Sequence, residues 1–137
     1  MIEALIQQLK RHEGLSLRPY ICSAGKLTIG YGRNLEDVGV SLEEAEDLLR
    51  HDVSRALADL ESALPWSARL NEVRRCVLAN MVFNLGVMGL LGFQRMLSSL
   101  EDGDFEGAAR EMLDSAWRVQ VGDRALELAE QMRSGLW

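Results

Sequence analysis

The sequence is short of the residues that cross-link small proteins or bind metals. Its two cysteines, Cys22 and Cys76, are too few for a disulfide scaffold. Its two histidines, His12 and His51, have no second-ligand spacing around them, so no metal site is expected. No apolar run approaches the roughly 18 residues of a membrane span. The opening residues, MIEALIQQLKRHEG, lack the basic start, apolar block and small-residue cleavage site of a signal peptide. A cytoplasmic origin is therefore expected, and a target outside the cell would require a separate route of release. Positive charge is also scarce. Fifteen Lys and Arg stand against 21 Asp and Glu, a net charge of −6. A nucleic-acid partner normally needs a basic face, and capture of an anionic polymer would gain no electrostatic steering.

What is present is a 137-residue chain, 47% hydrophobic, the size of one ordinary domain. Ile2, Leu5, Ile6 and Leu9 share one helical face, and Gly14 is a plausible stop. Arg18 to Ile21 reads as extended with Pro19 at an edge, Ser23 to Lys26 as a turn, and Lys26 to Tyr31 as a strand. Arg33 to Val40 reads as a polar loop. Ser41-Leu42-Glu43-Glu44 is a capping box that opens the longest helix, which Pro65 ends. Asn71 caps a helix that is apolar nearly all round and should be central and buried. Cys76 on it reads as inert packing. Gly86, Gly89 and Gly92 suggest a connector, Asp104 a further cap, and Gln120 to Asp123 a loop with Asp123 as the last cap. The sum is an α+β fold, mostly helical, with about seven helices. The expected layout is a single domain, 1–137, with a small β-hairpin lobe over about 13–40. Residues 1–12 and 66–137 would be helical, joined to it by a helix at 41–64.

Glycoside cleavage needs an acid to protonate the departing oxygen and a second group to direct water or stabilise the positive centre. Glu13, at a helix end where the dipole disfavours a carboxylate, could be the acid. A solvated helix-end glutamate is the simpler reading of spacing alone. Gly30 and Gly32 near the strand end would let a ligand approach closely, or would serve only as bulges.

At Glu13-Gly14-Leu15, Pro19-Tyr20 and Gly25 to Gly32 (GKLTIGYG) the sequence resembles the active-site signature of the phage-type lysozymes, the endolysin muramidases. Their pattern is a glutamate, eight residues, an aspartate, five residues and a threonine. Glu13, position 22 and Thr28 reproduce it without a gap. Ser41 to Ala45, Val73 to Cys76, Asn80 to Asn84, Gly92-Phe93, Ala108-Ala109, Ser115 to Trp117, Gln120 and Arg124-Ala125 follow in family order, so the resemblance covers essentially the whole chain. It implies a lysozyme-like fold and hydrolysis of the bond between N-acetylmuramic acid and N-acetylglucosamine in peptidoglycan, without metal or cofactor; a monomer is the expected state. Glu13 would be the general acid, Thr28 would place the attacking water, and Arg124 would hold the glutamate. Gly32, Phe83, Asn84 and Gln120 would line the substrate cleft. The setting would be phage or prophage lysis, with release to the wall through a holin-type pore.

Three features depart from the family: Cys22 at the aspartate position, Arg33 where many relatives carry histidine, and the acidic balance. Cys22 could act as base, electrostatic partner or nucleophile. Attack on the anomeric carbon would retain configuration, and water activation would invert it. Alternatively Glu13 acts alone, as in lytic transglycosylases, or the protein is an impaired or engineered form that binds cell wall without cleaving it.

Overall fold

A computed structural model describes all 137 residues, 1–137. In order the elements are α1 (Ile2–Glu13), β1 (Ser16–Ile21), β2 (Leu27–Gly30), β3 (Arg33–Asn34) and α2 (Leu42–Ala63). A short 3-10 helix (Pro65–Arg69) follows, then α3 (Glu72–Leu91), α4 (Gln94–Glu101), α5 (Phe105–Leu113), α6 (Ala116–Val121) and α7 (Asp123–Ser134). The mostly helical α+β class is thus as expected. The chain divides into two compact units, Met1–Leu48 and Leu49–Trp137, with the boundary inside α2.

In Met1–Leu48 the three strands form an antiparallel sheet in the order β1-β2-β3. Tyr20 faces Thr28, and Ile29 faces Arg33. The strand β3 lies where the sequence suggested only loop. Two residues are too few to show an alternating pattern, and their pairing with β2 is what makes them a strand. The capping box forms as read: Ser41 Oγ accepts from Glu44 N at 3.1 Å, and Glu44 Oε1 accepts from Ser41 N at 3.0 Å. The helix α1 forms too, although none of its residues is buried.

Leu49–Trp137 holds the hydrophobic core. Val77, Leu78, Met81 and Val82 of α3 pack with Leu60, Leu90, Met96, Leu100, Met112, Trp117, Leu128 and Met132. By length and composition α3 could cross a membrane. It nevertheless carries much of this core, as its all-round apolar pattern required. Only Gly86 of the three glycines leaves helical geometry, at φ 76°, and the chain resumes its helix after it. Asn71 and Asp104 cap as read, accepting from Arg74 N and Gly107 N. The last cap differs. Gln120 and Val121 are the end of α6, not a loop, and Gly122 alone, at φ 58°, separates α6 from α7. A positive φ there suits glycine, so one residue turns the chain and Asp123 becomes the first helical residue instead of the cap. The C-terminal end of α7 is clamped by Arg74, which donates to Met132 O (2.7 Å) and Arg133 O (2.9 Å) while lying over the Phe105 ring.

Candidate active site

Glu13 is the last residue of α1. Gly14 follows at φ 71°, and its N–H closes the helix onto Lys10 O. Lys10, Arg11 and His12 fill the last turn, where cations complement the helix dipole. One turn back from Glu13, the Lys10 ammonium sits 5.4 Å from the centre of the Tyr31 ring. This contact ties the end of α1 to the tight β2–β3 turn, Gly30-Tyr31-Gly32. Both glycines of the turn have positive φ, 70° and 79°. The Glu13 side chain is exposed. It lies across Gly32, where an added β-carbon would stand 2.8 Å from Glu13 Oε2.

Cys22 and Thr28 are joined through one carbonyl. Cys22 N donates to Lys26 O at 2.9 Å, and the Thr28 hydroxyl donates to the same oxygen at 2.9 Å. Gly25 N closes the turn onto Cys22 O. Cys22 is half-buried and free, whereas Thr28 is 3% exposed. Hydrogen bonding from the backbone at Lys26, then from the Thr28 hydroxyl and the backbone at Ala24, lowers the thiol pKa from its ordinary value. Cys76 behaves oppositely. Burial, together with nearby Glu72, pushes its pKa up, which favours the inert thiol. Arg33 is occupied beside the hairpin, donating to Gly39 O (3.2 Å) and Glu44 Oε1 (2.8 Å). That partner, with the Ser41 cap, holds the Glu44 carboxyl down at about 2.

Glu13, Cys22, Thr28 and Gly32 all belong to Met1–Leu48. The other four expected residues belong to Leu49–Trp137. There Arg124 donates to Asn80 Oδ1 through Nε (3.0 Å) and Nη2 (2.6 Å). Arg124, Asn80 and the exposed Phe83 line a cavity of about 300 Å³ together with Cys76. Asn84 Oδ1 accepts from Trp117 Nε1 at 2.9 Å, and the Trp117 ring meets Phe93 edge-on at 5.8 Å. Gln120 and Trp117 line a second cavity, of about 560 Å³, with Arg95 and Glu111 on its wall. Asn80 and Trp117 are the partners that residue-by-residue reading missed as site members. Their only signal was their place in the Asn80 to Asn84 and Ser115 to Trp117 strings.

The sequence matches the phage lysozyme family over residues 10–133. It is 35% identical to an endolysin of Acyrthosiphon pisum secondary endosymbiont phage 1, covering 77% of this chain and 72% of the endolysin. A probable T4-type lysozyme 1 of Dictyostelium discoideum is 28% identical, with 98% of this chain and 96% of that protein covered. The pre-baseplate central spike protein Gp5 of Enterobacteria phage T4 is 30% identical over 89% of this chain, which corresponds to 26% of the spike protein. With the match running through both units, this chain belongs to the phage lysozyme family.

Proposed function

We propose that the protein is a peptidoglycan hydrolase that cleaves the β-1,4 bond between N-acetylmuramic acid and N-acetylglucosamine. The observation that carries the reading is the hairpin unit itself. A carboxylate at the end of α1 lies against the β2–β3 turn of a sheet in which the backbone N–H of Cys22 and the buried Thr28 hydroxyl donate to one carbonyl, that of Lys26. Glu13 protonates the glycosidic oxygen as the bond breaks. Cys22 stands in for the second carboxylate. A lowered thiol pKa raises the fraction of thiolate, and a thiolate can stabilise the positive anomeric centre or activate water. The Thr28 hydroxyl has one proton. It rests on Lys26 O and can rotate toward the sulfur when Cys22 ionises, leaving oxygen lone pairs for a water.

Arg124, fixed by Asn80, and Phe83, Asn84 and Gln120 serve as supporting and substrate-binding residues from Leu49–Trp137. The two units act as parts of one domain, monomeric in solution. Release to the wall through a membrane pore is part of the same reading.

Turbidity clearance of purified peptidoglycan by wild type, Glu13→Gln, Cys22→Ser and Cys22→Asp tests it. Glu13→Gln should lose about 100-fold or more, the scale of a general acid. Cys22→Ser should abolish clearance and Cys22→Asp should preserve it. Undiminished clearance by Cys22→Ser removes the thiol from the mechanism, and anhydro-muropeptide products replace hydrolysis by transglycosylation. Binding without cleavage, unaffected by Glu13→Gln, leaves a wall-binding protein.

A further inference from the structure

Among the positive-φ glycines of Met1–Leu48, Gly32 is distinct. Gly14, Gly25 and Gly30 have open space where a β-carbon would stand, and Gly39 has only Leu35 O, at 4.0 Å. At Gly32 the same position is filled by the end of one side chain: Glu13 Oε2 at 2.8 Å, Cδ at 3.1 Å and Cγ at 3.3 Å. The whole carboxyl end of Glu13 therefore lies on the bare α-carbon of Gly32. The Lys10–Tyr31 contact brings the last turn of α1 to this same loop, beside Gly32.

We infer that Gly32 is a positioning residue for Glu13, and that the missing side chain at position 32 is the seat that fixes where the carboxyl group stands. The inference deepens the assignment of Glu13 as general acid and rests on it. It gives Gly32 a role through Glu13, separate from any contact with the glycan. A β-carbon at 32 meets the far end of a flexible side chain, not backbone. The fold can therefore accommodate it by moving Glu13, and the damage should fall on proton delivery. A general acid displaced by about an ångström loses much of its rate advantage while leaving substrate affinity in place.

Gly39→Ala is the strain-matched control. It imposes a side chain at a similar positive φ, 64° against 79°, without touching Glu13. Three quantities would be compared for wild type, Gly32→Ala and Gly39→Ala: thermal midpoint, kcat and KM on peptidoglycan, and the 13C shift of the Glu13 carboxyl carbon. Both variants should lose thermal stability to a similar degree. Gly32→Ala should lower kcat by about tenfold or more with KM within about twofold, and should move the Glu13 carbon signal. Gly39→Ala should leave kcat and that signal unchanged. An unmoved Glu13 signal in Gly32→Ala overturns the inference, whatever happens to activity. So does a loss that appears in KM alone, which would make position 32 a glycan contact. Glu13→Gln separates the two layers: full activity there removes the acid assignment, while the carbon shift still reports whether Gly32 seats the side chain.

Discussion

Residues Met1–Leu48 bury one side chain, that of Thr28, whereas every buried apolar side chain belongs to Leu49–Trp137. The hairpin unit is held by hydrogen bonds and local geometry: the Lys26 carbonyl taking two donors, the Ser41–Glu44 box, the Arg33–Glu44 ion pair and a set of positive-φ glycines. The helical unit is held by packed Leu, Met and Val around α3. The comparison teaches how the proposed chemistry is supported. Carboxylate, thiol and hydroxyl sit in the part with almost no core, where Glu13 is exposed, Cys22 is half-buried and the buried Thr28 hydroxyl is oriented by a backbone carbonyl. The larger unit supplies burial, and its arginine and aromatic side chains line cavities.

The two parts should therefore fail in different ways. The largest effect is expected in the core. Leu78 is fully buried, so Leu78→Ala should cost about 3 kcal/mol, a transfer loss plus a cavity. Chemical denaturation followed by tryptophan fluorescence measures it, because all three tryptophans, Trp66, Trp117 and Trp137, lie in that unit. A loss below about 1 kcal/mol would mean that the core around α3 is loosely packed.

The next effect tests the polar unit through pH. The Glu44 carboxyl titrates at about 2 in the folded chain, below its ordinary 4.5. A depressed carboxylate pKa contributes stability above the unfolded value, and this contribution is lost as pH falls through the folded value. Glu44→Gln should therefore lower the thermal midpoint at pH 7. The gap between variant and wild type should narrow below about pH 4.5 and close near pH 2. Amide exchange at Leu42 to Ala45 should rise in step, and a gap independent of pH would remove the ion pair as its cause.

The smallest effect is at Ser67, whose hydroxyl is wholly buried with no hydrogen-bond partner. Removing an unsatisfied buried hydroxyl relieves a desolvation cost, so Ser67→Ala should be neutral or stabilising by up to about 1 kcal/mol. A clear destabilisation would point to a bound water there, and would make this part of the larger unit more like the polar hairpin.

The residues that were legible in the sequence are those whose environment is local. Ser41 and Glu44 are three apart and satisfy each other's backbone, so their cap could be read directly. The same holds for Asp104, for Asn71 and for Glu13 as a helix-end residue before Gly14. Asp123 shows the limit. Its type and position suit a cap, but Gly122 made the turn by itself and left the carboxylate inside α7. The apolar stripes of α1 and α2 were equally readable as helices. Their burial was not: Leu48, Leu49 and Val53 of α2 are exposed, and only Ala56 and Leu60 are buried. Periodicity names the face of a helix that is apolar, and only a packing partner makes it core.

The sequence by itself determined most of the helices, the Ser41, Asn71 and Asp104 caps and the spacing of Glu13, Cys22 and Thr28, because backbone hydrogen bonding and side-chain periodicity act over a few residues. Tertiary structure decided which groups share a partner. It put Thr28 and the backbone of Cys22 on the carbonyl of Lys26, paired Arg33 with Glu44, fixed Arg124 on Asn80 and laid Glu13 across Gly32. The physical reason is that a hydrogen bond or a close contact depends on a few ångströms of separation. For residues nineteen apart, such as Glu13 and Gly32, that separation is set by the path of the folded chain and not by their distance along the sequence.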